Sequence, residues 1–393
     1  MIPGLESAAA PCISIAIFAW NEEEAIGATL NSLFHQSIFA QLNARGERCE
    51  VICVLNGCTD RTPEVAVEVF AAQHRQHPYP NSFTSRVANI AERGKINAWN
   101  QFVHSLSAKE SHYLFMMDAD IHIHRHETLW NMFLTLERDA NARVAVDLPC
   151  KDISFKRRKS LGERMSLSMS RMTRAADGQL CGQLYGIRSE TARNIYLPKD
   201  LAACEDGFIK ALVCTDFVTR PSSPARIRVA DNAEHTFEAY TSPRTIVRNQ
   251  KRQVIGQTIV HILVDNFLPR LPLSERLRLG QALKDKENTD PAWLKKLIAA
   301  HLRQARFFWR LYPGLLHQRF KHLANLSWPR KVACFPSAAA SVLVALASSY
   351  LAWVALKAGS TDYWPKAKRL KSTTTTEPGR WELTQPAATR SKL

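Results

Sequence analysis

The chain has 393 residues, 46% of them apolar and 22% charged, which gives ample core for about two domains and excludes a disordered or fibrous chain. Its net charge of +16 calls for an anionic partner: nucleic acid, a membrane surface or the substrate. Residues 1–240 hold 26 basic and 28 acidic side chains, residues 241–335 hold 18 and 5, and residues 336–393 hold 8 and 3, so the excess belongs to the C-terminal part alone.

The first 240 residues alternate strand and helix patterns. Ile13 to Phe18 is a short apolar run that predicts a buried strand. From Glu22 to Gln36, Ala25, Ile26, Leu30 and Leu33 fall at helical spacing. Glu50 to Leu55 reads as a second strand, Gly57-Cys58-Thr59-Asp60 as a turn, and Thr62 as the cap of a helix through Ala72. Val87 to Ile90 is a weaker third strand, and Lys95 to Leu106 a helix. Tyr113 to Met117 is a fourth strand that runs into Asp118-Ala119-Asp120. This alternation predicts an α/β fold: a Rossmann-like, mostly parallel sheet with helices on both faces. Ligands of such sheets lie beyond the carboxyl ends of the strands, where both Asn21-Glu22 and Asp118-Ala119-Asp120 fall.

From residue 241 the pattern changes to long basic helices, Arg244 to Leu268, Leu273 to Glu287 and Pro291 to Tyr312. In the last, Trp293, Leu294, Leu297, Ile298 and Leu302 alternate with Lys295, Lys296, Arg303, Arg306 and Arg310, and Phe307, Phe308 and Trp309 follow. That amphipathic pattern fits a helix lying on a membrane surface, and equally a bundle helix with a solvated face. Ala338 to Leu356 contains no charge and is long enough to cross a bilayer once. The expected division is therefore a catalytic domain over 1–240, a basic amphipathic helical region over 241–335, a membrane segment over 336–357 and a disordered tail over 358–393. The terminal Ser391-Lys392-Leu393 matches a peroxisomal address and is read as a chance match. Nine scattered cysteines without a CxxC pair argue against a disulfide framework and for thiols kept reduced in a cytosol. The run from Cys12 to Trp20 lacks a basic n-region and a cleavage site, so it is not expected to be a secretory signal. The catalytic domain is thus expected to face the cytoplasm at a membrane.

Asp118 and Asp120, one residue apart in a turn at a strand end, can face one divalent cation. Hard oxygen ligands suit Mg2+ or Mn2+, which bind substrate phosphates with few protein ligands. His122, His124 and His126 would share one face of an extended segment, a pattern open to zinc but more readily to solvent. Lys156, Arg157, Arg158 and Lys159 form a short basic run, either solvated or facing a diphosphate.

Five segments together carry a resemblance. Ile13 to Glu22 resembles the opening strand and nucleotide turn of GT-A fold family 2 glycosyltransferases. Val54-Leu55-Asn56-Gly57-Cys58-Thr59-Asp60-Arg61-Thr62, Arg93-Gly94-Lys95-Ile96-Asn97-Ala98-Trp99-Asn100, Asp118-Ala119-Asp120 and Leu197-Pro198…Cys204-Glu205-Asp206-Gly207-Phe208 resemble that family's later elements, in family order.

The resemblance covers residues 12 to about 215 and implies an inverting, metal-dependent transfer of one sugar from a nucleotide-sugar donor, a UDP-sugar first. Ala19 and Glu22 would lie against the base and ribose, and Asn56 and Asp60 would belong to the donor turn. Lys95 would lie near the uracil or diphosphate. Asp118 would contact ribose or metal, and Asp120 would hold the metal. Asp206 would be the general base with Glu205 beside it, and His235 a further metal ligand.

Two departures bear on specificity. Leu55 stands where the family usually has an acidic residue, which leaves GDP and dTDP donors open. Arg248-Asn249-Gln250-Lys251-Arg252-Gln253 lacks the Gln-x-x-Arg-Trp order of processive members, although Arg248 or Arg252 could still reach a diphosphate. The expected acceptor is a lipid or lipid-linked glycan at the membrane surface, with no nucleic acid as partner. The alternatives are a membrane-tethered nucleotide-sugar-binding protein without turnover and a sugar nucleotidyltransferase. The latter would need a Gly-rich phosphate loop where the acidic Asn21-Glu22-Glu23-Glu24 stands.

Overall fold

Strand β1 (Ile13–Ala19) is seven buried residues in a row, the signature of a strand covered on both faces. In the computed structural model, which describes residues 10–155, 176–201, 204–238, 243–305, 307–313 and 328–359, it sits inside an eight-stranded sheet. Strands β2 (Cys49–Asn56) and β4 (Tyr113–Asp118) flank it in parallel, and β3 (Phe83–Ile90) pairs in parallel outside β2. Beyond β4 the sheet departs from the parallel expectation. β5 (His122–Ile123), β6 (Val144–Lys151), β7 (Leu184–Arg188) and β8 (Ile227–Phe237) complete the order β3-β2-β1-β4-β7-β6-β8-β5. β7 is antiparallel to both β4 and β6, and β5 is antiparallel to β8, so the sheet is mixed. β6 and β8 are parallel, and their register jumps between Val146 and Leu148.

The pleat of β1 sends alternate side chains to opposite faces. Ile13, Ile15 and Ile17 pack with helices α1 (Ile26–Phe34), α2 (Ile38–Arg45), α3 (Thr62–Gln76) and α5 (Thr128–Arg138). Ala16 and Phe18 face the other way, towards α4 (Lys95–Gln101) and the helices that follow β7 and β8. The single helix expected over Glu22 to Gln36 is a turn at Glu22 followed by α1 and a break before α2.

After α6 (Glu205–Cys214), the C-terminal part adds α7 (Pro243–His261), α8 (Leu279–Thr289), α9 (Trp293–Gln304) and α10 (Trp328–Lys357). Val254, Ile255, Ile259, Leu283, Ala352 and Leu356 join one apolar cluster with Ala16, Phe18, Ile52 and Val54 of the sheet. Trp293, Leu294, Ile298 and Leu302 of α9 enter the same cluster. Of the two readings left open for this stretch, the packing fits the bundle helix. The apolar side of α9 is already covered by protein, and its exposed Lys295 and Lys296 face outward.

The expected membrane segment 336–357 is corrected in form. It is the end of the longer α10; the side chains of 336–341 lie outside the described residues, and from 342 onward one side of the helix is buried. Among the described residues, no helix is long and apolar enough to cross a membrane. The basic run 156–159 and the tail 360–393, with Ser391-Lys392-Leu393, also lie outside the described residues.

Candidate active site

Strands β2 and β4 leave β1 on opposite sides, so the chain changes direction across the sheet at β1 and β4. Their carboxyl ends meet there, with Phe18 paired to Asp118. Such a switch point opens a crevice for ligand. β7 runs against β4, which brings its entry, Cys181-Gly182-Gln183, to the same edge, and the Gln183 carbonyl accepts the Asp118 N–H at 2.8 Å.

Lys95 is the centre of this edge. Gly94 precedes it at a φ of +138°, a conformation that favours glycine, and opens α4. The Asn56 amide oxygen fixes that turn by accepting the Gly94 N–H at 2.8 Å. From the first turn of α4, the Lys95 ammonium reaches Asp118 Oδ1 at 2.7 Å, Glu205 Oε1 at 3.0 Å and the Gly182 carbonyl at 3.3 Å. Glu205 and Asp206 open α6, after Cys204 in a left-handed conformation. A side chain on Gly182 would meet Asp206 Cβ at 3.3 Å and Glu205 Oε1 at 3.4 Å, so the β7 entry lies directly against the pair.

Burial and charge divide the carboxylates. Burial pushes Asp118 up to about 6; Lys95 opposes this, and the neighbouring charge of Asp120 adds to it. Burial likewise pushes Asp206 up to about 6, reinforced by the charge of Glu205. Glu205 is also buried, but its contact with Lys95 outweighs the burial and holds its carboxyl below the ordinary range. Burial alone would lower Lys95; the charges of Asp118 and Glu205 reverse that and hold it well above its usual value. The result is a carboxylate kept ionised beside one that takes up a proton near pH 6, the separation of roles that acid–base chemistry uses.

Residues 14–191 match the family model described as glycosyl transferase family 2. Those residues form a family 2 glycosyltransferase domain. A search of curated proteins gave no match. Among solved structures, a mannosyltransferase from Pyrobaculum calidifontis in complex with GDP-Man and Mn2+ is similar over 89% of this chain and 88% of its own, at 16% identity and a TM-score of 0.51. TarS 1–349 of S. aureus follows with 18% identity, 74% and 84% coverage and a TM-score of 0.40. Glucosyl-3-phosphoglycerate synthase from Mycobacterium tuberculosis, in complex with Mn2+, UDP-glucose and phosphoglyceric acid, gives 15%, 63% and 78%, and 0.39. The first of these supports the shared fold.

The fold gathers Lys95 and Asp118 of the matched domain with Glu205 and Asp206, which lie beyond it. Asp120 is exposed two residues past Asp118. Arg252, on α7, is near enough for its charge to pull on both Glu205 and Asp206. Cys204 Sγ meets the carbonyl of the adjacent Gln253 at 3.8 Å.

The β1 and β2 turns are stitched together. Asn21 Oδ1 accepts the Thr59 N–H at 2.7 Å, and the Glu22 N–H donates to Thr62 Oγ1 at 2.7 Å. Asp60 accepts from Thr62 and from the Glu23 N–H. Asp60 therefore shapes these two turns through their backbone, while Asn56 holds the Gly94 turn. Ala19 has its side chain buried and its carbonyl near Cys58 Sγ at 3.5 Å. Leu55 is buried, so no polar group at that position faces a base.

His235 lies on β8, fully buried, with Nδ1 2.7 Å from Asp147 Oδ2 and Nε2 3.3 Å from Gln183 Oε1. It is thus one side chain removed from the Asp118 turn, through Gln183. The exposed His122, His124 and His126 assemble no metal cluster: among the described residues, no three His, Cys, Asp or Glu side chains stand ready to hold a metal. Sequence reading missed Asp147, Gly182 and Gln183. An acid inside the apolar run Val144-Ala145-Val146-Asp147-Leu148 was the available signal for the first; the other two left none.

Proposed function

We propose that the chain is an inverting, non-processive glycosyltransferase. It moves one sugar from a nucleoside-diphosphate sugar, a UDP-sugar first, to a hydroxyl of a lipid or lipid-linked glycan at the cytoplasmic face of a membrane. The observation that carries the reading is the Lys95 ammonium, which joins the Asp118 turn to the Glu205–Asp206 pair across the carboxyl edge of the sheet. Donor and acceptor groups placed on those two sides would meet at that edge.

In this reading the Asp206 carboxylate takes the proton of the acceptor hydroxyl. The hydroxyl oxygen bonds to the anomeric carbon as the bond from that carbon to the diphosphate oxygen breaks, and the nucleoside diphosphate leaves with the electron pair. Attack from the side opposite the leaving group inverts the configuration. Glu205, held ionised by Lys95, keeps Asp206 basic through its negative charge. Lys95 and Arg252 supply positive charge on the path between the two sides.

Mg2+ or Mn2+ suits this donor set. Asp118 and Asp120 offer hard carboxylate oxygens whose mutual repulsion helps to raise Asp118, and a cation bound with substrate phosphates needs few protein ligands. Asp118 and Asp120 would hold it, and it would supply positive charge that stabilises the leaving group. His235 would join it only through a shift of the Gln183 side chain. The cytoplasmic placement rests on the cysteine pattern of the sequence, scattered and without a CxxC pair.

The test is transfer by Asp120→Ala and Asp206→Asn, each expected to abolish activity with the fold kept. Transfer near the wild-type rate in Asp206→Asn refutes the base assignment. A thermal-shift panel of UDP-, GDP- and dTDP-sugars with Mn2+ or Mg2+ names the nucleotide, because only the bound donor stabilises the fold.

A further inference from the structure

Of the eleven large apolar side chains exposed among the described residues, nine follow residue 272, so the apolar surface is concentrated in the C-terminal part. Leu343, Tyr350, Leu351 and Val354 form a stripe along one side of α10, 68%, 51%, 43% and 44% exposed. The opposite side of the same helix, with Ala345, Ser348, Ser349, Ala352, Ala355 and Leu356, is buried, and Ser348 Oγ reaches the Val247 carbonyl of α7 at 3.5 Å. A helix with one side against protein normally shows charge on the other. From Leu343 to Leu356, α10 shows none.

The stripe is edged by aromatic and basic groups. Phe308 meets the ring of Tyr350 at 5.7 Å, and Phe307 stacks on Trp309 at 4.6 Å, the latter two both exposed. Exposed Arg303 and Arg310 bracket that aromatic turn. At the end of α10, the Lys357 ammonium lies 3.6 Å from the Trp353 ring centroid.

We infer that this stripe seats the protein on an anionic bilayer, with α10 lying in the headgroup plane and not crossing. Tryptophan and tyrosine beside arginine and lysine are the composition of a membrane–water boundary. The 18 basic against 5 acidic side chains of residues 241–335 favour a negative surface. The same +16 disfavours a second copy of the chain as the occupant. The inner side of α10 is held along α7, so crossing would strip it from the core. The inference deepens the proposed function, resting on it only for the membrane-bound acceptor.

The test uses the full chain in sedimentation with vesicles of phosphatidylcholine, alone or mixed with phosphatidylglycerol. Wild type is expected to bind the anionic vesicles at least about tenfold more tightly than the neutral ones. Leu343→Glu with Val354→Glu, both pointing outward, should lose about tenfold or more of that binding at an unchanged melting temperature. Trp309→Ala with Tyr350→Ser replaces the pair if the acidic variant unfolds. No binding by wild type, equal binding by the folded variant, or a wild-type dimer in light scattering that the variant dissolves each overturns the inference. Stabilisation by donor sugar with Mn2+, measured alongside, reports the catalytic reading separately. Vesicle binding without it leaves the docking surface standing and removes the proposed function.

Discussion

Replacing Lys95 with methionine keeps the length of the side chain and removes the ammonium between Asp118 and Glu205. All three side chains are enclosed, 17%, 14% and 7% exposed, so solvent screens the loss little. Breaking a buried ion pair from one side costs about 3–5 kcal/mol, because the partner charge stays buried without compensation. With an unfolding entropy of about 2.1 cal/mol/K per residue, that corresponds to a fall in melting temperature of about 4–6 °C for a chain of this size.

The pH dependence follows from Glu205. Its folded pKa is depressed in the wild type, so its contribution is present above the ordinary carboxylate range and lost as pH falls through the folded value. In Lys95→Met that contribution is gone and burial penalises the ionised form. The two proteins should therefore differ most above pH 6 and converge in acid. Differential scanning calorimetry from pH 4.5 to 8 checks this. A shift below about 1 °C at pH 7.5, or one that does not change with pH, would show that Lys95 does not hold the carboxylates together.

The remaining expectations concern the same edge of the sheet. With Asp206 raised to about 6, the rate of transfer should fall about tenfold per pH unit below pH 6, and the limb should vanish with activity in Asp206→Asn. Because the folded protein holds that proton to a higher pH than the unfolded chain, stability from Asp206 declines as pH rises from about 4 to about 6; Asp206→Asn should melt above wild type at pH 7.5 but not at pH 4. Gly182→Ala places a methyl 3.3 Å from Asp206 Cβ and should lower kcat about tenfold or more with donor stabilisation retained, read by paired kinetics and thermal shift. Asp147→Asn removes the carboxylate that orients His235, and should weaken Mn2+ binding in calorimetry about 10–100-fold if the histidine belongs to the metal site; unchanged Mn2+ affinity would assign the pair to the core alone.

β1, β2 and β4 and their turns were legible because each is a largely apolar run ending in a polar loop, a pattern that needs only near neighbours to read, whereas the polar Thr84, Ser85 and Arg86 hid the first half of β3. The second half of the sheet was not. β6 is interrupted by Asp147 and Pro149, and β7 by Gly186, which lies so close that a Cβ there would fall 2.9 Å from Phe115. Strand direction was also hidden, since parallel or antiparallel pairing depends on connections and not on the strand's own residues. Trp293, Leu294, Ile298 and Leu302 show a third limit. Their spacing is the same whether the apolar side meets lipid or the rest of the protein, and only the tertiary structure selects the latter. The motif residues of the site were readable singly. That one lysine would join two of them could not be read, because Lys95, Asp118 and Glu205 are brought together only by the fold.

That shared ammonium also bears on the sequence of events in a catalytic cycle. One positive charge divided between Asp118 and Glu205 belongs more to one whenever the other is neutralised. In the proposed reading, Asp118 would hold the donor with its cation, and the charge of Lys95 would then fall more to Glu205. The two substrates of the proposed reaction would therefore share a free-energy link, so that the occupancy of one side shifts the affinity of the other. Initial-rate kinetics with both substrates varied should show compulsory order, donor first and nucleotide last, instead of independent entry.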